Sequence, residues 1–133
     1  MKIFRMLATL ALAILVCSVH AGIYVDKVEH PKKIVILKIE GRIKYEDEIE
    51  FQKALDEIKR DGYKIKLNSV VLNTSGGSPT AAKEIGKIIR REKLNTYVGP
   101  KHRCGSACIY ILSSGVIYFP GIRLNRSNTK VPP

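Results

Sequence analysis

The stretch from Val70 to Pro79 reads VVLNTSGGSP, and it marks the passage from a buried strand to a helix. Its first residues are aliphatic and rich in Val, which favours a short strand. The paired glycines Gly76 and Gly77 then interrupt that strand. Ser78 is placed to cap a following helix, and Pro79 fits the first helical position, where its missing N–H costs nothing. The sequence therefore predicts a strand, a glycine loop and a helix in succession.

The same alternation continues on both sides of this unit. Upstream, the stretch from Lys33 to Ile43 is dense in β-branched residues and predicts a strand. The segment from Glu46 to Lys59 has its apolar residues at helical spacing on one face, and Gly62 ends it. In all, the patterns predict strands at 33–43, 69–73, 96–98 and 116–119 and helices at 46–59, from 79 onward and at 107–114. This β-α-β-α-β-α-β order is typical of an α/β fold with a mainly parallel sheet.

The loop from Asn73 to Pro79 occupies the place where α/β proteins carry their chemistry, the carboxyl end of a strand. Gly76 and Gly77 let backbone N–H groups approach a ligand, because neither carries a Cβ. The helix that starts at Pro79 adds positive partial charge at its N-terminus. The loop is thus suited to an anion or an oxyanion, and the alternative is a plain strand-to-helix turn.

A second loop, Arg103 to Cys108, contains the sequence RCGSAC. Ser106 follows a predicted strand and Gly105 and opens an apolar helix, so its hydroxyl would project at the top of the sheet as a nucleophile requires. The alternative is that Ser106 caps the helix. The segment is not the GxSxG elbow, since Cys108 stands at the second glycine position.

Cys104 and Cys108 flank this serine. On a regular helix, Cβ atoms four residues apart are about 5 to 6 Å apart, too far for a disulfide. A bend at Gly105 would bring them together. A disulfide across Ser106 and two buried thiols both remain open at this point.

Segments 70–78, 82–90, 96–98 and 104–108 together resemble, in order and spacing, the ClpP/crotonase superfamily, and most closely the ClpP-like periplasmic proteins of bacteria. The resemblance covers roughly residues 33–121 and implies a partial ClpP/crotonase-like fold. By that resemblance, Gly76 and Gly77 belong to an oxyanion loop and Ser106 is the nucleophile of a serine peptidase acting on peptides or acyl compounds. The resemblance is also compatible with a homo-oligomer.

The chain departs from the family where the base and acid are expected. The stretch from Leu124 to Ser127, which matches the position of the family's histidine, contains no His, and no Asp or Glu follows Glu92. His102 lies on the strand side of the Gly105 turn rather than across the site. We therefore expect a chain truncated after the nucleophile helix and inactive alone. The alternative is a non-catalytic binding or structural protein of the cell envelope, or a truncated gene product.

The N-terminus resembles a secretory signal peptide. Lys2 and Arg5 precede the apolar run from Met6 to Val19, and a small residue, Ala21, precedes the expected cut. Cleavage would make the protein periplasmic or secreted. The rival interpretation is an uncleaved membrane anchor at residues 6–25. The chain then divides into a signal at 1–21, an incomplete ClpP-like domain at 22–120 and a basic, disordered tail at 121–133.

The composition limits the classes of partner and cofactor that we expect. The 23 Lys and Arg against 12 acidic residues give a formal charge of +11, which attracts anions, yet the chain has no Trp and nine aromatic residues. Few aromatic side chains argue against nucleic-acid binding by base stacking. The spacing of its Cys and His residues fits no zinc site, and we expect neither a metal nor another cofactor. A third interpretation of the function is that the basic residues bind anionic lipid or an envelope polymer. The alternative is that these residues are only solvated.

Overall fold

The computed structural model describes residues 22–28 and 31–119. The predicted signal peptide at 1–21 and the predicted tail at 121–133 lie outside the described residues. The elements, in chain order, are β1 (Gly22–Val28), β2 (Ile34–Ile43), α1 (Asp47–Arg60), β3 (Lys64–Gly77), α2 (Pro79–Arg91), β4 (Asn95–Val98), α3 (Cys108–Leu112) and β5 (Tyr118–Phe119). From β2 onward this is the predicted alternation of strands and helices.

The five strands form one sheet in the order β1-β2-β3-β4-β5. β2, β3, β4 and β5 are parallel to one another, and β1 pairs antiparallel with β2. The predicted α/β class with a mainly parallel sheet is therefore confirmed. β1 was not predicted, because its first four residues end the apolar stretch that was assigned to an anchor. Ile23 and Val25 pack against the core, as alternate residues of an edge strand do.

Helices α1 and α2 cover one face of the sheet. Alternate residues of β2 point into this core because side chains of a strand alternate between its two faces. Val35, Leu37 and Ile39 are at most 1% exposed. The helices contribute Phe51, Leu55, Ile58, Ala81, Ala82, Ile85, Ile88 and Ile89. Lys59 of α1 also forms an ion pair with Glu92, the residue that follows α2.

β3 is longer than predicted at both ends. It begins at Lys64 rather than at 69. The prediction missed residues 64–68 because Leu67 and Asn68 adopt positive φ angles and break the regular alternation that sequence patterns detect. At the other end it continues through Gly76 and Gly77, which pair with Arg42 and Ile43 of β2. Gly76 and Gly77 are thus the last two residues of β3. The prediction that they interrupt the strand before it ends is wrong.

The C-terminal elements are shorter than predicted. α3 is limited to Cys108–Leu112, and β5 consists of Tyr118–Phe119. The turn between them packs closely on β4: a Cβ on Gly115 would lie 2.5 Å from Thr96 Oγ1, and Val116 N–H donates to Leu94 O. Across residues 22–28 and 31–119, every helix is too short or too polar to cross a membrane.

Candidate functional site

The two predicted loops meet at the carboxyl ends of β3 and β4. Thr74 is the contact point: its N–H donates to Arg103 O at 2.8 Å, and its carbonyl accepts from Gly105 N–H at 3.1 Å. These bonds form a single parallel bridge between Thr74 and Cys104. The structure therefore brings the glycine loop and the Ser106 loop side by side.

Ser106 occupies a sharp turn immediately before α3. Its φ is 50°, in the left-handed region, which costs a residue with a Cβ roughly 1 to 2 kcal/mol. Its side chain is exposed, and no described residue bonds its hydroxyl. Ala107, not Ser106, is the N-cap residue of α3, and no side chain caps that helix. The interpretation of Ser106 as a capping serine is therefore wrong.

Gly76 packs against this turn. A Cβ on Gly76 would lie 2.7 Å from Gly105 O and 2.8 Å from Ser106 Cβ, and Gly76 has a φ of 104°. Both the conformation and the space exclude any side chain. Gly76 is thus required for the approach of β3 to Ser106.

A backbone N–H group without an acceptor among the described residues lies beside Gly76, and it belongs to Ala107. The Gly76 N–H donates to Thr74 Oγ1 at 3.0 Å, so it is already bonded. The Ala107 N–H has no acceptor among the described residues, and it lies 3.1 Å from the position of a Cβ on Gly76. The N–H after a nucleophile is a usual oxyanion donor, and this rule could have identified Ala107 from the position of Ser106.

Gly77 packs against the backbone of Ile43 in β2. A Cβ on Gly77 would lie 2.8 Å from Ile43 N and still closer to Ile43 O, so the glycine lets β3 pack against β2. Ser78 continues the contact by donating its N–H to Ile43 O at 2.9 Å, and its hydroxyl accepts from Ala81 N–H at 3.2 Å. This part of the loop has the features of the plain strand-to-helix turn.

Cys104 and Cys108 are joined by a disulfide with their Cα atoms 5.3 Å apart. The bridge is feasible because α3 begins only at Cys108, so the two residues do not lie on one regular helix. Cys108 is fully buried and Cys104 is half-buried. The disulfide closes a five-residue loop around Ser106 and ties its turn to the bridge at Thr74.

His102, the histidine nearest to Ser106 in sequence, makes its contacts with Gly99. The backbone N–H of His102 donates to Gly99 O at 3.0 Å. The imidazole ring of His102 packs on Gly99, so that a Cβ on Gly99 would lie 3.0 Å from Nδ1. That buried Nδ1 has no hydrogen-bond partner within the described part of the chain. Lys101 and Arg103 are exposed and make the surroundings of the loop basic. Between residues 22 and 119, those described include no cluster of three or more His, Cys, Asp or Glu that could hold a metal.

No protein-family model matches this sequence. No curated protein matches it significantly. Among solved structures, the chain is similar to a serine-to-alanine mutant of the 1510-N membrane-bound stomatin-specific protease, with 20% identity and a TM-score of 0.46. The match covers 59% of this chain and 38% of that one. The chain therefore matches well under half the length of that protease.

Proposed function

We propose that this chain is an exported homologue of the ClpP-like serine hydrolases, with Ser106 at the nucleophile position. Gly76, from the predicted oxyanion loop, and the Ala107 N–H would border the site for the carbonyl oxygen. The Ser106 turn carries the proposal: a serine in the left-handed region, with an exposed and unbonded hydroxyl, packs against a glycine. Backbone strain at a residue with this chemistry is a feature of functional sites.

Each group has a distinct part in this proposal. A carbonyl oxygen placed beside Gly76 would accept the Ala107 N–H, and this bond would strengthen as negative charge develops on the oxygen. The disulfide and the Thr74 bonds would hold the Ser106 hydroxyl in place. Attack by that hydroxyl also requires a base to take its proton, because a neutral serine is a poor nucleophile.

The proposal includes the absence of turnover by the isolated chain. The His102 ring packs on Gly99, and no other described residue accepts a hydrogen bond from Ser106. A site with an oxyanion donor and no base would bind a carbonyl or carboxylate without cleaving a substrate. This supports a hydrolase homologue that is inactive alone, and it leaves room for a base supplied by another chain.

Reactivity is tested with a fluorophosphonate probe and with peptide and activated ester substrates. The natural chain, Ser106→Ala and Ser75→Ala are compared, since Ser75 is an exposed serine in the neighbouring loop. We expect no Ser106-dependent turnover and slow or no labelling in all three. Stoichiometric labelling of the natural chain and of Ser75→Ala, lost in Ser106→Ala, would contradict the inactivity and reveal a base.

Binding is tested separately, with an acetylated dipeptide whose free carboxylate imitates a hydrolysis product. Backbone amide spectra should show a saturable shift at Ala107 and no shift at Gly62, which lies in an open turn. A shift that is equal at both residues, or none at Ala107, would contradict the proposed oxyanion site whatever the outcome with the probe.

Export is part of the same proposal, and mass spectrometry tests it. If the chain is cut after Ala21, the mature protein starts at Gly22, the first residue of β1. A full-length chain beginning at Met1 in the membrane fraction would instead support the anchor at residues 6–25.

A further inference from the structure

The charge of this protein is distributed unevenly along the chain. Residues 22–61 contain nine Lys and Arg and ten acidic residues, whereas residues 62–119 contain nine Lys and Arg and only two acidic ones, Glu84 and Glu92. The basic residues are thus present in equal number in the two parts, but the acidic ones are not. The part of the chain that forms β3, α2, β4 and α3 is therefore strongly positive.

Part of this charge lies in a row on α2. Lys83, Lys87 and Arg90 are exposed and spaced four and three residues apart, so they lie on the same helix face. We call these three residues the basic stripe. Lys87 pairs with Glu84 at 2.6 Å, and Glu84 is the single acidic residue within α2. The stripe thus keeps a net positive charge.

The stripe borders α3 along a shallow groove. At one end Lys83 Nζ lies 4.9 Å from the centre of the Tyr110 ring. At the other end Arg90 Nη2 donates to Ser113 O at 3.2 Å. These two contacts join the stripe and α3 into one continuous surface.

Exposed apolar side chains are concentrated on α3 and the turn after it. Four large hydrophobic residues within nine positions are about half exposed: Ile109 (52%), Tyr110 (45%), Val116 (55%) and Ile117 (53%). We call these four residues the apolar border. Leaving water is favourable for them only against a partner that is itself apolar.

We propose that the basic stripe and the apolar border form a docking surface for an anionic phospholipid bilayer. Tyr110, which contacts Lys83, joins the border to the stripe. Basic residues that adjoin exposed apolar ones match a bilayer interface, where anionic headgroups lie next to acyl chains. A soluble polyanion would satisfy the stripe alone and leave the border in water. The proposal stands independently of the proposed hydrolase site.

Vesicle sedimentation tests the proposal with a chain that begins at Gly22, which retains every core residue and removes the apolar N-terminal run. We expect binding to vesicles that contain phosphatidylglycerol and none to vesicles of phosphatidylcholine alone. Binding should weaken as salt is raised, because salt screens the charges. Absence of binding to phosphatidylglycerol vesicles, or equal binding to both kinds, would overturn the proposal.

A charge-matched pair of variants locates the surface. The triple variant Lys83→Gln, Lys87→Gln, Arg90→Gln should bind on the order of a hundredfold more weakly, or about fivefold per residue removed. The control Lys53→Gln, Lys64→Gln, Lys66→Gln removes the same charge from exposed residues outside the stripe and should bind within a few fold of the natural chain. Equal losses in the two triple variants would mean that only net charge matters and would overturn the proposal. If the stripe variant does not fold, Lys83→Gln alone provides the comparison with Lys53→Gln.

The apolar border distinguishes a bilayer from an anionic polymer. Ile109→Ser with Ile117→Ser keeps every charge, and it should weaken vesicle binding severalfold while leaving heparin binding unchanged. If this variant binds vesicles as the natural chain does, the partner is a polyanion and the lipid proposal fails.

Discussion

Helices α2 and α3 both start beside the carboxyl edge of the sheet, but their first turns are held in different ways. α2 has 13 residues, and its start is formed by its own sequence: the Ser78 hydroxyl accepts from Ala81 N–H, and Pro79 occupies the first turn. α3 has five residues and no side-chain cap, and the strained Ser106 lies just before it. Its turn is held from outside, by the disulfide and by the backbone bonds to Thr74.

The difference shows how an unbonded serine can be kept at a helix start. The hydroxyl of a capping serine accepts a hydrogen bond from a backbone N–H of the helix, as the Ser78 hydroxyl does. The Ser106 hydroxyl has no hydrogen-bond partner in the described part of the chain, and its turn is held instead by the disulfide and the backbone bonds to Thr74. Local strain at Ser106 persists because its surroundings over-determine the conformation.

The largest expected effect is at Gly77, where the α2 turn contacts β2. Gly77→Ala should lower the free energy of unfolding by about 3 kcal/mol or more, because its Cβ would overlap the backbone of Ile43, which cannot move aside without breaking the strand pairing. Gly62→Ala is the matched control, since Gly62 also has a positive φ but open space around it, and it should cost about 1 kcal/mol. Urea unfolding measures both, and equal costs would contradict the packing explanation.

The next effect is at the α3 turn, through the disulfide. Removing it in the double variant Cys104→Ala, Cys108→Ala should cost about 2 kcal/mol, as expected for closing a five-residue loop. Amide exchange should accelerate from Cys104 to Tyr110 and stay unchanged at the start of α2, which needs no external link. Faster exchange at the starts of both α2 and α3 would contradict the explanation that only the α3 turn depends on the disulfide.

Thiol labelling checks the bridge itself. The unfolded, unreduced chain that begins at Gly22 should show no free cysteine, and reduction should expose two. Two labels per chain before reduction would mean that Cys104 and Cys108 are buried thiols. The double variant serves as the control, because a reductant should leave its stability unchanged.

A smaller effect separates the two serines directly. Ser78→Ala should destabilise the protein by about 1 kcal/mol through loss of the cap, whereas Ser106→Ala should change stability by less than about 0.5 kcal/mol. Thermal unfolding of the two single variants makes the comparison. A cost at Ser106 as large as that at Ser78 would reveal a hydrogen bond that holds the turn.

The smallest effect has the opposite sign. Ser106→Gly should stabilise the protein by about half a kcal/mol, since relief of the left-handed strain exceeds the entropy that glycine loses on folding. Lys93→Gly is the reference, because Lys93 has a φ of 53° in the turn after α2 and should gain a similar amount. Destabilisation at Ser106 alone would show that its side chain makes a stabilising contact.

Sequence patterns predicted the elements whose signals are local. The amphipathic spacing of α1 and the cap of α2 both appear in the structure within a residue or two of the prediction. β1 was missed because an edge strand of mixed polarity carries a weak signal beside a long apolar run. The early part of β3 was missed because residues 64–69 are mostly polar and four of those six residues are exposed.

The candidate site was predicted in part. Gly76, Gly77 and Ser106 were named from the loops that contain them, and the structure places Gly76 against Ser106. The backbone contacts of Thr74 and Ala107 were not predicted. A buried threonine carries no chemical signal of its own, whereas Ala107 could have been named from its place directly after Ser106. Their importance lies in backbone groups, and the partners of those groups depend on how two distant loops meet.

The sequence by itself determined the order of strands and helices from β2 onward, the Ser78 cap of α2 and the residues that flank Ser106, because these follow from spacing and local preference along the chain. Only the tertiary structure decided that Ser106 does not cap α3, which glycine faces Ser106, and that Cys104 and Cys108 are joined. Each of these depends on the approach of β3 to the loop after β4, about 30 residues apart in sequence. Hydrogen bonds and close packing act over a few ångströms in space, so the contacts they select are set by the fold as a whole.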